Sequence, residues 1–266
     1  MFTTLQQVAA IGRSLWVYHG DAARHRRMDL LYARFMRRGD LVFDIGAHVG
    51  DRIRCFRRLG CRVVALEPQA SLVRVLRLLY GRAEGVTILA AAAGARSGML
   101  ELHLNPANPT VATGSTGFIA AADGSPGWER ERWTGRVTVP LTTLDALIAQ
   151  HGEPAFIKVD VEGLEEAVLQ GLSCAVRALS FEFTTIQRRV AVACLQRCTA
   201  LGSYRFNAAL GESQVLVHES WLDDAAMARW LMALPHAANS GDVYAVRTDV
   251  AVQPLLASGA PHGRCP

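Results

Sequence analysis

The fold follows from one stretch near the start of the chain, Leu41-Val42-Phe43-Asp44-Ile45-Gly46-Ala47-His48-Val49-Gly50. An apolar run ends here in an acid, and a turn containing glycine follows it. Such a run is typical of a buried strand, and glycine permits the backbone conformation that a tight turn requires. In an open α/β sheet, ligands bind just outside the carboxyl ends of the strands, so this turn is the first place to look for a site.

The alternation of strand and helix continues outward from this stretch. A helix at about 51–59 leads to the apolar run 62–67, and a second helix at 71–80 leads to a strand at 86–89. Strand–helix–strand units of this spacing predict a parallel sheet with right-handed crossovers. We place the later elements as follows: helices at 141–150, 164–172, 186–201 and 223–234, and strands at 155–160, 179–183, 204–208, 215–218 and 243–246.

Residues 97–140 interrupt this rhythm. Short strands are predicted at 99–104 and 136–139, and the segment between them is rich in Gly, Pro, Ser, Thr and Asn. Long loops inside a compact domain are usually functional, so we interpret the insertion as a lid or substrate loop. The hydroxyls of Ser115 and Thr116 suit hydrogen bonding to a polyhydroxylated ligand, although a solvated loop has the same composition. We divide the chain into three parts: a helical extension at 1–39, a main domain at 40–248 and a flexible tail at 249–266.

Composition excludes several classes of protein. Half of the residues are apolar and 20% are charged, which excludes a disordered chain, and no two of the six cysteines form a CxxC pair. No apolar run approaches the length of about 20 residues that a membrane span needs. Residues 1–18 lack the basic region and the cleavage site of a secretory signal. We therefore expect a cytoplasmic protein with reduced, mostly buried thiols.

Positive charge is concentrated in the first quarter of the chain. Residues 1–62 hold twelve Arg and five Asp, whereas the whole chain has a net charge of +4. Charge runs of this kind usually lie on solvated helix faces, and an anionic partner is the alternative. Because the basic residues are not interleaved with aromatic residues, binding to nucleic acid is the less favoured interpretation.

Two acids follow the first two predicted strands. Asp44 lies two residues before Gly46, in a spacing that does not match the glycine fingerprint of dinucleotide sites. An acid here suits a cationic ligand, such as the ammonium and sulfonium groups of S-adenosylmethionine, better than a pyrophosphate. Capping of the next helix is the alternative role. Glu67 follows about twenty residues later, where a carboxylate can accept both ribose hydroxyls of a nucleoside.

A single lysine, Lys158, stands among 27 arginines and lies on a predicted buried strand. By the alternation of a strand, Lys158, Asp160 and Glu162 share one side if the extended conformation continues. Buried charges are costly unless they are paired, so these three residues are a functional candidate. The structural alternative is that Lys158 bridges two acids and that Glu162 caps the following helix.

Taken in order, these segments resemble the FkbM family of S-adenosylmethionine-dependent methyltransferases. The resemblance covers roughly residues 40–248, and its most specific part is Lys158-Val159-Asp160-Val161-Glu162-Gly163. The other matching segments are 42–50, 64–68, 143–145, Glu166, 169–171 and 181–183. The resemblance implies an α/β, doubly wound class I methyltransferase fold. Its sheet would be mostly parallel and seven-stranded, with the last strand antiparallel and the long insertion after the third strand.

The resemblance also implies a pocket for S-adenosylmethionine. We assign the cofactor-binding residues as Asp44, Gly46, Ala47, His48, Gly50, Glu67 and Ala92. The family commonly has Asn where this chain has His48. A histidine can still donate one hydrogen bond, so a packed loop histidine is the preferred interpretation and proton transfer is the alternative.

The function that the resemblance suggests is methylation of a hydroxyl on a sugar, a glycan or a secondary metabolite. An alcohol benefits from a base, and Asp160 is our first choice, with Lys158 holding it or orienting the acceptor oxygen. Glu162 serves instead, or fixes the next helix. Asp160 and Glu162 suit a hard cation, but the sequence names no third ligand, so we predict no metal. The alternatives are a binding module without turnover and an RNA methyltransferase.

Overall fold

The structure, a computed structural model, describes residues 5–252. Within that range its strands are β1 (Leu41–Ile45), β2 (Arg62–Leu66), β3 (Val86–Leu89), β4 (Ala92–Ala93), β5 (Gly98–Leu104), β6 (Gly135–Thr142), β7 (Phe156–Val159), β8 (Ala178–Thr184), β9 (Tyr204–Leu210) and β10 (Ser240–Arg247). Its α-helices are α1 (Leu5–His19), α2 (Ala22–Tyr32), α3 (Asp51–Arg58), α4 (Ala70–Tyr80), α5 (Thr116–Ala122), α6 (Leu144–His151), α7 (Glu165–Gln170), α8 (Arg188–Leu201) and α9 (Asp224–Ala233). Short 3₁₀ turns lie at Pro109–Val111 and His236–Ala238.

Seven of the described strands form one sheet in the order β3-β2-β1-β7-β8-β10-β9. Among these strands, β10 alone runs in the direction opposite to the other six. The chain builds outward from β1 to β3 and then returns to β7 on the other side of β1. The carboxyl ends of β1 and β7 therefore flank the point where the strand order reverses, which is where such sheets bind ligands. The mainly parallel α/β sheet predicted from the sequence is confirmed.

The strand β1 is buried on both faces because helices cover both sides of the sheet. Phe43 and Ile45 pack into a core that includes residues of α6, α7, α8 and α9. Val42 points to the other face and packs in a second core with Phe56 of α3 and Met28 of α2. Burying side chains of this size contributes roughly 1.5–3 kcal/mol each. The helix α2 is therefore tied to the sheet by its own core residues.

The insertion is more ordered than its composition indicates. Its two predicted strands are confirmed as β5 and β6, which pair antiparallel in a small second sheet with β4. The loop expected between them contains α5, and the Oγ of Ser115 caps that helix by accepting from the backbone N of Phe118 at 3.0 Å. A small core of its own stabilises this segment, formed by Val111, Phe118, Ala122 and Trp128. The segment was predicted to be a loop because its many small polar residues outnumber the few large apolar residues that form this core.

The predicted helix at 141–150 begins later than expected. Leu141 and Thr142 extend β6 and pair with β4. The hydroxyl of Thr143 then accepts a hydrogen bond from the N of Ala146 at 3.1 Å and caps α6. Pairing in the second sheet therefore takes the first residues of the apolar run away from the helix.

The prediction of a strand at 215–218 is wrong. Val217 donates one backbone hydrogen bond to Ala208 of β9. The side chain of Asn207 then bonds to both the N and the O of His218, at 3.1 and 2.8 Å. A side chain thus occupies the backbone groups that a strand would use, and the segment is a loop at the outer edge of the sheet.

Three further predictions concern membrane spans, the cysteines and the tail of the chain. Within residues 5–252, no helix is long and apolar enough to cross a bilayer. The five cysteines in that range are free thiols, and all but Cys174 are buried. Cys265 and residues 253–266 of the tail predicted at 249–266 lie outside the described residues.

Candidate active site

A cleft opens at the carboxyl ends of β1, β2 and β7, and most of the site residues named from the sequence line it. Those residues are Asp44, Gly46, Ala47, His48, Glu67, Ala92, Lys158, Asp160 and Glu162. Gly50, Ser115 and Thr116 are not among the lining residues. Segments that lie far apart in the sequence therefore meet in one cleft.

The turn after β1 brings two backbone segments into close approach. Gly46 has a φ of +88°, and a Cβ at this position would collide with the carbonyl oxygen of Asp160. Gly50 has a φ of +81° and precedes α3, and its carbonyl accepts a hydrogen bond from the Tyr80 hydroxyl at 2.9 Å. Gly46 thus sets the width of the cleft between β1 and β7, whereas Gly50 shapes the start of a helix.

Glu67 follows β2, and the backbone of two neighbouring loops fixes its carboxylate. Oε2 accepts from the N of His48 at 2.9 Å, and Oε1 accepts from the N of Gln69 at 2.8 Å. Burial raises the pKa of Glu67 to about 7, although these hydrogen bonds act in the opposite direction. A further donor aimed at the carboxylate would favour its ionised form.

Asp44 presents an oxygen without a partner. The residue is 1% exposed, and no donor within residues 5–252 reaches its Oδ2. Burial, followed by repulsion from Asp51, raises the pKa of Asp44 to about 7, whereas Lys158 lowers it. Because a buried acceptor without a donor costs about 1–3 kcal/mol, this oxygen fits a donor or a positive charge on a ligand.

His48 joins the turn after β1 to two other parts of the chain. Its ring packs edge-on against Tyr18 of α1, with 5.3 Å between centroids. Its Nε2 lies 3.4 Å from the hydroxyl of Thr110 in the insertion. Burial lowers the pKa of His48, so the ring is neutral at pH 7. These contacts favour a packed loop histidine, and they bring the helical extension and the insertion to the cleft.

Lys158 is 1% exposed and bridges two acids from different strands. Its Nζ donates to Asp160 Oδ2 and to Asp242 Oδ1, both at 2.9 Å. Burial alone would lower the pKa of Lys158, but the two carboxylates outweigh burial and raise it well above its usual value. A lysine between two acids was one of the sequence-based interpretations, and the second acid is Asp242 rather than Glu162.

Glu162 does not cap the following helix. Its φ of +55° ends the extended conformation, and the hydroxyl of Thr113 donates to its backbone carbonyl at 2.6 Å. Leu164 takes the N-cap position without a side-chain cap. Glu165, the first residue of the helix, instead fixes the preceding loop by accepting from the N of Val161 at 3.1 Å and from the N of Gly163 at 3.0 Å. The Glu162 carboxylate faces other acids, and one oxygen each of Asp160, Glu162 and Glu182 lie within 4.8 Å of one another.

A family model described as the methyltransferase FkbM domain matches residues 44–213. The chain belongs to this family. Its cofactor is accordingly S-adenosylmethionine. The cleft of this FkbM methyltransferase fits that molecule, because the unpartnered oxygen of Asp44 and the fixed carboxylate of Glu67 suit a ligand with both positive charge and hydroxyl donors.

Solved structures of methyltransferases align with the chain at low identity. A TehB-like S-adenosylmethionine-dependent methyltransferase from Corynebacterium glutamicum has a TM-score of 0.46 at 11% identity, and the alignment covers 91% of this chain and 96% of that one. The precorrin-6y C5,15-methyltransferase from Geobacter metallireducens has a TM-score of 0.41 at 14% identity, covering 84% and 87%. Fibrillarin from Aeropyrum pernix, solved with S-adenosyl-L-methionine, has a TM-score of 0.42 at 10% identity, covering 79% and 67%. No curated protein matches the chain.

Two arginines of the basic first quarter are buried in this FkbM methyltransferase. Arg24 donates to Asp51 and to Glu212, both at 2.8 Å, and Arg52 contacts the same two acids. Each arginine is 6% exposed. Arg52 also lies 4.0 Å from Asp242, which continues the network to the lysine. At these positions the expectation of solvated helix faces is wrong, because acids inside the protein balance the charge.

Two acids of the site, Glu182 and Asp242, were not among the residues predicted from the sequence. Glu182 stands between two phenylalanines on β8, and Asp242 lies near the start of the apolar strand β10. A charge inside an apolar run is the same signal that singled out Lys158. The parallel pairing of β8 with β7 brings Glu182 beside the end of β7, and the antiparallel pairing of β10 with β8 places Asp242 opposite Glu182.

Proposed function

We propose that this FkbM methyltransferase methylates a hydroxyl on a sugar, a glycan or a secondary metabolite. One observation supports this most directly: the Lys158–Asp160 pair ends the strand beside β1, in the same cleft as Asp44 and Glu67. When bound, the cofactor supplies an electrophilic methyl group on a sulfonium. The residues of the chain then need only bind it and hold a nucleophilic oxygen in line with that methyl group.

The cofactor side of the proposal rests on two carboxylates. Glu67 accepts hydrogen bonds from the ribose hydroxyls, since its two oxygens are already oriented by backbone N–H groups. Asp44 faces the positively charged end of the cofactor, since its Oδ2 is buried and lacks a donor among residues 5–252. Both groups have a raised pKa. A ligand that brings hydrogen-bond donors or positive charge to them favours their ionised forms and lowers both pKa values.

The acceptor side rests on Asp160. Burial opposes ionisation of this carboxyl, but the Lys158 ammonium outweighs burial and holds the pKa of Asp160 below its usual value. The carboxylate is therefore charged at neutral pH, and its side chain is 35% exposed in the cleft. It accepts the hydrogen bond of the acceptor hydroxyl and takes the proton as the new bond forms. Burial and then repulsion by Asp160 raise the pKa of Glu162 well above its usual value, so Glu162 is less suited as the base.

The insertion at 97–140 acts in this proposal as the cover of the acceptor side. Pro109, Thr110 and Gly114 of the insertion line the cleft. The side chain of Gln69 donates to the carbonyl of Pro109 at 2.8 Å, which ties the insertion to the loop after β2. Contact of Ser115 and Thr116 with the acceptor stays a prediction. It requires the segment that carries them to move toward the cleft, because neither residue lines the cleft here.

The experiment has two steps. Unfolding measured with and without S-adenosylmethionine tests the cofactor first, since a ligand at a hundred times its Kd stabilises by about 2.7 kcal/mol. Formation of S-adenosylhomocysteine is then followed with an acceptor library of sugars, phenols, amines and RNA. We expect turnover with hydroxyl acceptors, its loss in Asp160→Asn, and no loss in Glu153→Gln, an exposed residue that precedes the amino end of β7. Cofactor binding without turnover on any acceptor would indicate a binding module, and turnover on RNA alone would contradict the proposal.

A further inference from the structure

The acids beside Lys158 carry more negative charge than their surroundings neutralise. Lys158 is committed to Asp160 and Asp242, and within residues 5–252 no other cationic side chain makes an ion pair with Glu162 or Glu182. One carboxylate oxygen of each of Asp160, Glu162 and Glu182 lies within 4.8 Å of the others. The cluster of Asp160, Glu162 and Glu182 is thus short of positive charge.

Glu162 gives an independent indication of what is lacking. The residue is 7% exposed, and no hydrogen bond or ion pair from residues 5–252 reaches its carboxylate. Glu165, which is buried nearby, differs because backbone N–H groups of Val161 and Gly163 satisfy it. Buried carboxylates are normally paired or bound to a metal ion. The Glu162 carboxylate has neither, and it is aimed at the oxygens of two other acids.

A buried neutral oxygen lies close by. The side-chain Oε1 of Gln187 has no hydrogen-bond partner among the described residues. Gln187, Glu182 and Gly163 line a small cavity next to the acidic cluster. The Glu162 carboxylate and the Gln187 Oε1 thus lack donors among the described residues, and such oxygens suit a cation rather than an anion.

We propose that Asp160, Glu162 and Glu182 bind one divalent cation of the Mg²⁺ or Mn²⁺ type. Three carboxylate oxygens are hard ligands, which these ions prefer, whereas nitrogen and sulfur ligands would favour zinc. Glu182 is the third ligand, and β8 brings it beside the end of β7. An ion with octahedral coordination keeps about three positions for water or for a bound molecule.

The role of this ion rests on the proposed function. It lies where the acceptor hydroxyl would meet Asp160, so with the ion bound Asp160 acts as its ligand and the hydroxyl oxygen coordinates the ion. An acceptor with two neighbouring hydroxyls fills two of the open positions and is held in one orientation. The site therefore selects vicinal diols over isolated hydroxyls.

Direct binding of Mn²⁺ to the full chain tests the site without any acceptor. The electron paramagnetic resonance signal of free Mn²⁺ is titrated with protein, and Mg²⁺ is added as competitor. We expect one Mn²⁺ per chain, displaced by Mg²⁺. Loss of one ligand in Glu162→Gln or Glu182→Gln should weaken binding at least as much as loss of an outer-shell partner does, about 10–100-fold. Glu153→Gln, the exposed control, should bind as the wild type does.

The variants and the cofactor separate the possible results. Each glutamine variant is checked by thermal unfolding, and neither should be less stable, since each removes a buried carboxyl that repels its neighbours. Absence of stoichiometric Mn²⁺ binding, or equal binding by both folded variants and the wild type, would overturn the site. S-adenosylmethionine binding is measured in the same samples without metal. Cofactor binding without Mn²⁺ binding refutes the metal site alone, whereas Mn²⁺ binding without cofactor binding refutes the proposed function.

Discussion

The two halves of the cleft are built in different ways. The cofactor half consists of Asp44, Gly46 and Glu67, which lie at the carboxyl ends of two consecutive strands and within 25 residues of sequence. The acceptor half consists of Lys158, Asp160, Glu162, Glu182 and Asp242, which come from three strands spread over 85 residues. Backbone N–H groups hold Glu67, whereas charged side chains hold one another in the acceptor half. A substitution in the cofactor half should therefore affect only its own contacts, whereas a substitution in the acceptor half should also disturb the charged residues paired with it.

The largest expected effect is that of Lys158→Met. The substitution leaves Asp160 and Asp242 without the ammonium that both contact at 2.9 Å. Breaking a buried ion pair by removing one partner costs about 3–5 kcal/mol. We expect a loss of this size in the free energy of unfolding measured in urea, loss of turnover, and a rise in the pKa of a carboxyl that loses its partner.

Arg177→Met is the matched control. Arg177 pairs with Asp40 at 3.5 Å on the surface, and its side chain is 38% exposed. Exposed pairs contribute about 0–1 kcal/mol, so the control should lose no more than that. Equal losses in the two variants would show that the acceptor half does not depend on its lysine.

Lys158→Arg comes next in size and separates charge from shape. Arg keeps the positive charge but is longer, planar and forked, and Lys158 has almost no exposed surface into which it could extend. Asp160 is therefore displaced, and misplacement by about an ångström costs on the order of a hundredfold in rate. We expect a folded protein that binds S-adenosylmethionine normally and has lost most of its turnover. Wild-type turnover in Lys158→Arg would mean that any positively charged side chain suffices at this position and that the single lysine is there by chance.

The same contrast explains what the sequence could predict. The cofactor half was readable because its residues follow the strand ends in order, and the period of the sheet fixes where those ends lie. Asp160 could be placed beside Lys158 by the alternation of one strand. Glu182 could not be placed because its position depends on the pairing of β8 with β7. Asp242 could not be placed because its position depends on the register of an antiparallel strand that returns from the far end of the chain. The helix α5 was missed because a few large side chains stabilise it within a polar segment.

In the cofactor half, Glu67→Gln should weaken S-adenosylmethionine binding. Gln keeps one oxygen to accept from a backbone N–H, but it loses the charge that strengthens hydrogen bonds from ribose hydroxyls. Hydrogen bonds to charged groups contribute about 1.5–3 kcal/mol, so Kd should rise by roughly tenfold or more. Calorimetry measures this, with Glu84→Gln, an exposed residue, as control. An unchanged Kd in the folded variant would refute the assignment of Glu67.

The cofactor affinity should also depend on pH. Burial raises the pKa of Glu67 from its usual 4.5 to about 7 in the folded chain. Its contribution to stability is therefore full below pH 4.5 and is lost as the pH rises through 7. The cofactor favours the ionised form, so the ionisation of Glu67 alone should lower the Kd about tenfold between pH 6 and pH 8. Glu67→Gln should flatten this profile, and Asp44→Asn should flatten what remains, since the pKa of Asp44 is also about 7.

The smallest expected effect comes from Ser115→Ala in the insertion, outside both halves. The Ser115 hydroxyl accepts from the N of Phe118 at 3.0 Å, so its loss removes a helix cap worth about 1 kcal/mol. Unfolding in urea should show that loss, and the Kd for S-adenosylmethionine should not change, since neither carboxylate of the cofactor half touches Ser115. Thr116→Ala keeps the Ser115 cap and should leave stability nearly unaltered. The acceptor KM of the two variants then tests the sequence-based role of these hydroxyls: a rise in both supports contact with the acceptor, whereas a stability loss in Ser115→Ala without any change in KM would limit Ser115 to capping its helix.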